Sequence, residues 1–193
     1  MFKPEIRILG FDDSPFKRTD KKVAVIGVIY RGGSFLDVVL KTEVAVDGLD
    51  ATENLIKLLN KSRHKPQLKV LMFDGIAFGG FNIIDIKKLY KKTDLPIIVI
   101  NRKHPDLDSV KKALENNFKD SKKRWTMILN AGKIKVCNLK NGKKVYYQAV
   151  GMEDNEAEEI IQLSSTHSDI PEPLRVAHLI AGAIVKGESS GRA

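Results

Sequence analysis

The hydrophobic pattern of residues 5–46 predicts three β-strands joined by short connections. Residues 5–11 and 22–30 are largely apolar and rich in β-branched side chains, and residues 35–46 alternate between apolar and polar positions. Gly32 and Gly33 separate the second run from the third and favour a tight turn. Because short connections join antiparallel neighbours, we expect the chain to begin with an antiparallel meander.

After residue 50 the pattern changes to helices that alternate with short buried strands. Leucine and isoleucine recur at helical spacing over residues 55–59, and Asp50 or Thr52 is the expected N-cap of that helix. The segment continues with predicted strands at residues 68–73 and 96–100 and predicted helices at residues 83–90 and 107–118. The two strands are continuously apolar, which is typical of strands buried on both faces in parallel βα units.

The last third of the chain predicts a hairpin followed by two helices. The predicted strands cover residues 125–129, 133–139 and 145–150, and the predicted helices cover residues 153–163 and 174–185. Asn141 and Gly142 form a hairpin turn signal between the last two strands. No repeat or linker interrupts the pattern, so we expect one domain over residues 1–186 and a C-terminal tail over residues 187–193.

The order of these elements predicts a ribonuclease-H-like mixed α/β sheet, in which three antiparallel strands are followed by parallel βα units. In that topology the strand at residues 68–73 lies beside the first strand and parallel to it. Their carboxyl ends carry Asp12 and Asp74, so these two acids are expected at one edge of the sheet. Asp12 and Asp13 are expected to have different roles, because successive strand residues point to opposite faces.

Two carboxylates at one sheet edge favour a divalent cation, because like charges repel unless a cation lies between them. Oxygen ligands suit Mg²⁺ or Mn²⁺, which can promote phosphodiester hydrolysis. Asp47 and Asp50 follow the third strand and are candidates for a third ligand. Taken singly, each of these aspartates also fits a structural role as a turn former or a helix cap.

Composition adds a candidate partner and a compartment. The formal net charge of +9 favours a polyanion such as DNA or RNA, although many small basic proteins bind no nucleic acid. The single cysteine excludes an intramolecular disulfide, and a reducing cytoplasm is the expected location. No apolar run approaches the roughly 20 residues that a membrane-spanning helix needs, and the first residues do not resemble a signal peptide. The oligomeric state is left open.

Four motifs give the chain a specific resemblance. They are Gly-Phe-Asp-Asp at residues 10–13, Asp-Gly-Leu-Asp-Ala-Thr at 47–52, Phe-Asp-Gly-Ile-Ala-Phe-Gly-Gly-Phe-Asn at 73–82, and Ile-Pro-Glu-Pro-Leu-Arg-Val-Ala-His-Leu-Ile at 170–180. With the Gly-Glu-Ser at residues 187–189, they make the whole chain resemble an uncharacterised archaeal protein family. That family is related to endonuclease V, a ribonuclease-H-like enzyme that uses Mg²⁺ to cleave nucleic acid near deaminated adenine.

The resemblance to endonuclease V implies a set of site residues. Gly10-Phe11-Asp12 is similar to its Gly-x-Asp motif, Asp74 is similar to its metal-binding aspartate, and Asp50 stands where it has a catalytic glutamate. Asp12, Asp50 and Asp74 are therefore the implied catalytic residues and metal ligands. A lysine of the enzyme corresponds to Arg102, which keeps the charge.

Two departures from endonuclease V lead to an alternative function. The active-site histidine of the enzyme falls on Met152, and its aromatic-proline wedge is replaced by residues 41–46. A thioether cannot transfer protons or bind a hard cation as an imidazole does. The leading hypothesis is a metal-dependent nuclease, and the alternative is a non-catalytic nucleic-acid-binding protein of the same fold.

Further candidates surround the acids. Gly79, Gly80 and Asn82 precede a predicted helix, where backbone amides can bind phosphate, although the glycines fit a purely conformational role equally well. Arg102 and Lys103 form a basic cluster that would contact the nucleic-acid backbone if it lies at the acidic edge.

The last helix contributes three accessory candidates. Glu172 and Arg175 have the spacing of an ion pair on one helix face, and they could also reach the acidic site. His178 lies among apolar residues and fits a packed position, or it could partly replace the histidine missing at Met152.

Overall fold

A mixed seven-stranded sheet lies at the centre of the protein, for which a computed structural model describes residues 2–189. The first half contains β1 (Arg7–Asp13), β2 (Lys22–Arg31), β3 (Phe35–Ala45), α1 (Ala51–Lys61), a 3₁₀ turn (Lys65–Gln67), β4 (Val70–Asp74), β5 (Ala77–Phe78), β6 (Asn82–Ile83) and α2 (Ile86–Thr93). The second half contains β7 (Ile97–Asn101), α3 (Leu107–Asn117), α4 (Ser121–Asn130), β8 (Lys135–Asn138), β9 (Lys144–Val150), α5 (Asp154–Ser164) and α6 (Glu172–Lys186).

The strand order β3-β2-β1-β4-β7-β9-β8 confirms the ribonuclease-H-like arrangement. The first three strands form the predicted antiparallel meander, and β1, β4 and β7 are parallel to one another. The strand β9 pairs with β7 in the antiparallel sense and forms a hairpin with β8. The carboxyl ends of the three parallel strands therefore meet the amino end of β9 at one edge, which we call the carboxyl edge.

Hydrophobic clusters cover both faces of the sheet. On one face, Phe11 stacks on Phe73 with ring centroids 5.3 Å apart, and Leu55 and Leu59 of α1 pack on the same cluster. On the other face, α5 packs on the side chains of β4 and β7, and α6 packs on β1 and β2. Because strand side chains alternate between these faces, neighbours such as Asp12 and Asp13 enter different surroundings.

Two predicted elements differ from the structure. Residues 125–129, predicted as a strand, belong to helix α4, in which Arg124 and Ile128 are buried one turn apart. A run of five residues, four of them apolar, is too short for its period to separate strand from helix. The helix predicted from residue 83 begins at Ile86, because Asp85 caps it by accepting from Lys88 N, and Ile83 pairs with Ala77 in a two-stranded hairpin.

The predicted tail at residues 187–193 is described only in part. Helix α6 ends at Lys186, and Gly187 takes a left-handed conformation as its C-cap. Residues 190–193 lie outside the described residues. Over residues 2–189, no helix is both long enough and apolar enough to cross a membrane.

Candidate functional site at the carboxyl edge

Asp12 and Asp74 lie side by side at the carboxyl edge, as the sequence predicted. The parallel register pairs Phe11 with Phe73, so the two aspartates occupy the next position on adjacent strands. Asp12 is only 6% exposed. Burial, together with the neighbouring charges of Asp74 and Asp13, raises the pKa of Asp12 from 3.8 to about 8. Burial also raises the pKa of Asp74, and the nearby Arg102 and His178 oppose that rise.

His178 reaches Asp12 from helix α6. Its Nδ1 lies 2.7 Å from Oδ2 of Asp12, a hydrogen bond in which the imidazole donates when Nδ1 carries the proton. The contact depends on the close packing of Pro173 against Gly10, where an added Cβ would lie 2.5 Å from the proline Cβ. His178 is five helical residues beyond Pro173, a rise of about 7.5 Å, and Asp12 is two strand residues beyond Gly10, a rise of about 6.6 Å. The two side chains therefore lie at similar distances along their elements from the Pro173–Gly10 contact.

Arg102 supports the second carboxylate. It follows β7 directly, and its Nη2 lies 3.6 Å from Oδ2 of Asp74. Each of the two carboxylates thus has a nitrogen-containing side chain beside it, since His178 contacts Asp12 and Arg102 contacts Asp74. Lys103, the next residue, is exposed on the same loop. The predicted basic cluster therefore lies at the acidic edge.

Asp13 takes a separate role, as the alternation of strand residues predicted. Its Oδ2 accepts a 2.8 Å hydrogen bond from the backbone N–H of Gly79 in the β5–β6 turn. The backbone N–H of Phe81, two residues later, donates to Asp47 Oδ1 at 2.8 Å. Gly79 and Gly80 have φ values of 52° and 87°, which glycine adopts without strain. These turn amides serve internal carboxylates, and phosphate binding by Gly79, Gly80 and Asn82 stays a prediction.

Asp50 lies in a network at the β3–α1 connection. Its Oδ1 accepts from Asn82 Nδ2 at 2.6 Å and from Ala45 N at 3.1 Å, and its Oδ2 accepts from Asn54 Nδ2 at 3.0 Å. Asn82 in turn accepts from the backbone N–H of Ala51 at the start of α1. Asp50 occupies the N-cap position without the side-chain bond that a cap usually makes. The structure thus gives the carboxylate predicted as a third ligand a set of internal partners.

Arg124 is a residue that the sequence analysis did not single out. Its guanidinium is buried and donates to the carbonyls of Asp47, Gly48 and Phe81 at 2.6–2.9 Å. Its Nε also donates to Asp120 one turn earlier. Arg124 therefore joins the β3–α1 connection to the β5–β6 turn. A single arginine in a lysine-rich run gave no signal of this role, because its partners are backbone carbonyls distant in sequence.

Glu172 and Arg175 form an ion pair of their own. Glu172 is 1% exposed, and Arg175 Nη2 lies 2.7 Å from its Oε2. Both charges act on the pKa of Tyr30, whose partner in β1 is Ile8, four residues before Asp12. The pair therefore lies toward the amino end of β1 and away from the carboxyl edge.

Met152 also lies away from the carboxyl edge. Val150, at the end of β9, pairs with Ile97 at the amino end of β7, and Met152 follows two residues later and packs on the core beneath α5. Of the two positions considered for an active-site histidine, the structure brings only His178 to the acids. No group of three or more histidine, cysteine, aspartate or glutamate side chains within residues 2–189 is arranged to hold a metal ion.

Comparison with known proteins identifies the family. The family model described as endonuclease dU matches residues 4–185. The chain belongs to the endonuclease dU family. The UPF0215 protein of Methanothermobacter thermautotrophicus is 50% identical over 192 residues, covering 99% of this chain and 93% of the relative. The UPF0215 protein of Pyrococcus furiosus is 42% identical, covering 97% of this chain and 96% of the relative.

Solved structures confirm the fold. A protein of unknown function from Archaeoglobus fulgidus, 36% identical, superimposes with a TM-score of 0.84 over 94% of this chain and 99% of its own. Endonuclease V from Ciona intestinalis, in complex with inosine-containing DNA, superimposes with a TM-score of 0.64 at 15% identity over 94% of this chain and 87% of its own. The endonuclease dU family thus shares the fold of endonuclease V.

Proposed function

We propose that this chain is a divalent-metal-dependent endonuclease that hydrolyses phosphodiester bonds in DNA, with deoxyuridine sites as the first substrates to test. The observation that carries the proposal is the pair of carboxylates, buried Asp12 and half-buried Asp74, at adjacent positions of the carboxyl edge. The family name, endonuclease dU, supports the reaction class and the substrate. The likeness to an endonuclease V bound to DNA supports a nucleic-acid partner.

The donor set fits a hard divalent cation. Asp12 and Asp74 offer carboxylate oxygens. Burial raises the pKa of both acids, and the charge of Asp74 adds to the rise in the pKa of Asp12, so two ionised carboxylates are costly here without a cation. Mg²⁺ is commonly held by one or two carboxylates and completes its shell with water and phosphate oxygens. Asp12 and Asp74 would hold the ion, with Asp50 as a further candidate. When bound, the ion would supply Lewis-acid stabilisation of the charge that develops on the phosphate.

The neighbouring residues have roles that do not depend on the ion. Arg102 presents a guanidinium beside Asp74, where it can bind a non-bridging phosphate oxygen of the substrate. His178 orients the Asp12 carboxylate through the 2.7 Å contact of Nδ1. Lys103 adds a charge that attracts the nucleic-acid backbone.

The alternative is a binding protein without catalysis, and one observation favours it. The charges of Asp12 and Asp74 already have His178 and Arg102 as neighbours, so the two acids have partial compensation within the protein. Such a protein would bind nucleic acid through the loop that carries Arg102 and Lys103, here called the basic loop. The two functions differ in whether a metal binds at the acids and whether a strand is cut.

Calorimetric titration with Mg²⁺ or Mn²⁺ tests the metal site first. Asp74→Asn keeps the shape of the side chain and removes its charge, so it should abolish binding. Asp108→Asn, which removes an exposed acid in the first turn of α3, is the charge-matched control and should bind as the native protein does. Asp50→Asn separates the two readings of that residue, since a ligand role predicts weaker metal binding and a purely internal role predicts lower thermal stability alone.

Cleavage is then measured with single-stranded and duplex DNA that contains one deoxyuridine, with the same sequences containing inosine or thymidine for comparison. The proposal expects metal-dependent cleavage at deoxyuridine that Asp74→Asn abolishes. If the protein binds no metal, either free or with DNA present, and cuts no strand, the nuclease hypothesis is refuted. The non-catalytic binding protein is then the remaining hypothesis.

A further inference from the structure

An aromatic residue with cationic neighbours lies at the carboxyl edge beside the basic loop. Tyr146 of β9 pairs in register with Asn101, the residue immediately before Arg102. Val145 and Tyr147 on either side point into the core beneath α5, and the half-buried Tyr146 therefore points to the opposite face of the sheet. Tyr146 is partly exposed, whereas Tyr147 is fully buried.

Two basic side chains surround this ring. The His104 ring meets Tyr146 edge to face, with centroids 5.3 Å apart and an interplanar angle of 90°. The Lys144 Nζ lies 5.7 Å from the centre of the same ring. His104 comes from the loop that carries Arg102 and Lys103, so one surface combines an aromatic ring with several cations. Single-stranded nucleic acid is bound by this combination, because bases stack on aromatic rings while cations follow the phosphates.

The spacing relates the ring to the carboxylate pair. The strand β7 separates β4, which carries Asp74, from β9, which carries Tyr146. Neighbouring strands are about 4.8 Å apart, which puts the two backbones roughly 10 Å apart, or about three stacked nucleotides. Asp74 shares the face of Met72, beneath α5, whereas Tyr146 is on the other face. A strand whose phosphate lies beside Arg102 therefore has to pass over the carboxyl edge to place one of its bases on Tyr146.

We propose that Tyr146, with His104 and Lys144 beside it, is a stacking platform for an unpaired base close to the phosphate bound at the carboxyl edge. The proposal rests on the proposed function and adds a substrate feature to it, namely that the strand is unpaired at this point. The face of a base stacks whatever its sequence, so the platform selects for single-stranded structure and leaves base identity to other residues.

The test compares Tyr146→Ala with Tyr146→Phe in binding a short fluorescein-labelled single-stranded deoxyoligonucleotide. Affinity is measured by fluorescence anisotropy in EDTA, so that no strand is cut. Tyr146→Ala is expected to weaken binding by about 5-fold to 150-fold, the range for loss of one stacked base. Tyr146→Phe keeps the ring and is expected to bind as the native protein does. Circular dichroism confirms that each variant is folded.

Phe35→Ala is the matched control. Phe35 is an exposed aromatic on β3 with a cation over its ring, since the Arg31 guanidinium lies 4.5 Å from the centroid. Its strand partner Arg31 pairs with Arg7 at the amino end of β1, so Phe35 lies at the opposite edge of the sheet. Its loss is expected to leave binding unchanged. Equal weakening by Phe35→Ala and Tyr146→Ala would overturn the proposal, because it would indicate nonspecific adhesion to exposed rings.

The outcomes for the platform and for the nuclease are separable. Native affinity in Tyr146→Ala refutes the platform, even if metal-dependent cleavage is observed. A loss confined to Tyr146→Ala supports the platform, even if no strand is cut under any condition. A fully paired duplex of the same sequence should show a smaller loss than the single strand, and an equal loss would refute a role in binding an unpaired base.

Discussion

Replacing Asp12 by asparagine should stabilise the metal-free protein at neutral and alkaline pH. Burial and the charge of Asp74 raise the pKa of Asp12 to about 8 in the folded protein, against an ordinary value of 3.8. The folded state therefore retains a proton that the unfolded chain releases between these two pH values. The contribution of Asp12 to stability is complete below pH 3.8 and decreases as the pH rises toward 8.

The size of this effect follows from the width of the pH window. Each pH unit within it costs about 1.4 kcal/mol of unfolding free energy, so the whole window gives an upper bound on the order of 6 kcal/mol. Asp12→Asn carries no such cost, because an amide of nearly the same shape does not ionise. The difference between variant and native protein should be near zero at pH 4 and should grow to its maximum near pH 8.

Urea unfolding in EDTA across this pH range measures the difference, since the contributions of acids distant from Asp12 cancel between the two proteins. Asp108→Asn, at an exposed position, should show no comparable trend. Saturating Mg²⁺ should narrow the difference at pH 8, because the native site would gain about 2.7 kcal/mol at a hundred times the dissociation constant and the variant would not. If Asp12→Asn is less stable than the native protein at pH 8 in EDTA, the reasoning is wrong, and Asp12 is instead an anion stabilised by His178.

Three further predictions concern the packing and charge around the site. Arg124→Ala should lower the free energy of unfolding by about 3–5 kcal/mol, because its buried guanidinium donates hydrogen bonds to three backbone carbonyls. A loss below about 1 kcal/mol in chemical denaturation would contradict this role. Gly10→Ala should lower the free energy of unfolding by at least about 1–3 kcal/mol and weaken metal binding, because the new Cβ collides with Pro173 and displaces α6. A native melting temperature would show that α6 adapts without loss of stability. Lys103→Ala should reduce the slope of log affinity against log salt for single-stranded DNA by about 0.7, the value for one phosphate contact, whereas an unchanged slope would remove Lys103 from the interface.

Much of the fold was predictable from local pattern. The apolar runs and short turns of the first half indicated the antiparallel meander, and the βα alternation that follows indicated the parallel strands β4 and β7. The secondary-structure predictions failed where the local hydrophobic pattern fits both a strand and a helix. Residues 125–129 have strand-like composition, yet they form part of α4 because Arg124 and Ile128 are buried on the same side of a helix. The apolar face of that helix is short, so the spacing of its apolar residues was not enough to distinguish a helix from a strand.

For the candidate site, the sequence by itself determined that Asp12 and Asp74 would be neighbours, because each ends a strand and topology alone makes those strands adjacent and parallel. Only the tertiary structure decided which other groups join them. His178 reaches Asp12 because Pro173 packs against Gly10 and sets the register of α6, and Asp50 turns to Asn82 and Asn54 within the β3–α1 connection. Tyr146 comes beside Arg102 only through the register of β9 against β7. Such positions depend on the packing of segments distant in the chain, and local hydrophobic pattern contains no information about that packing.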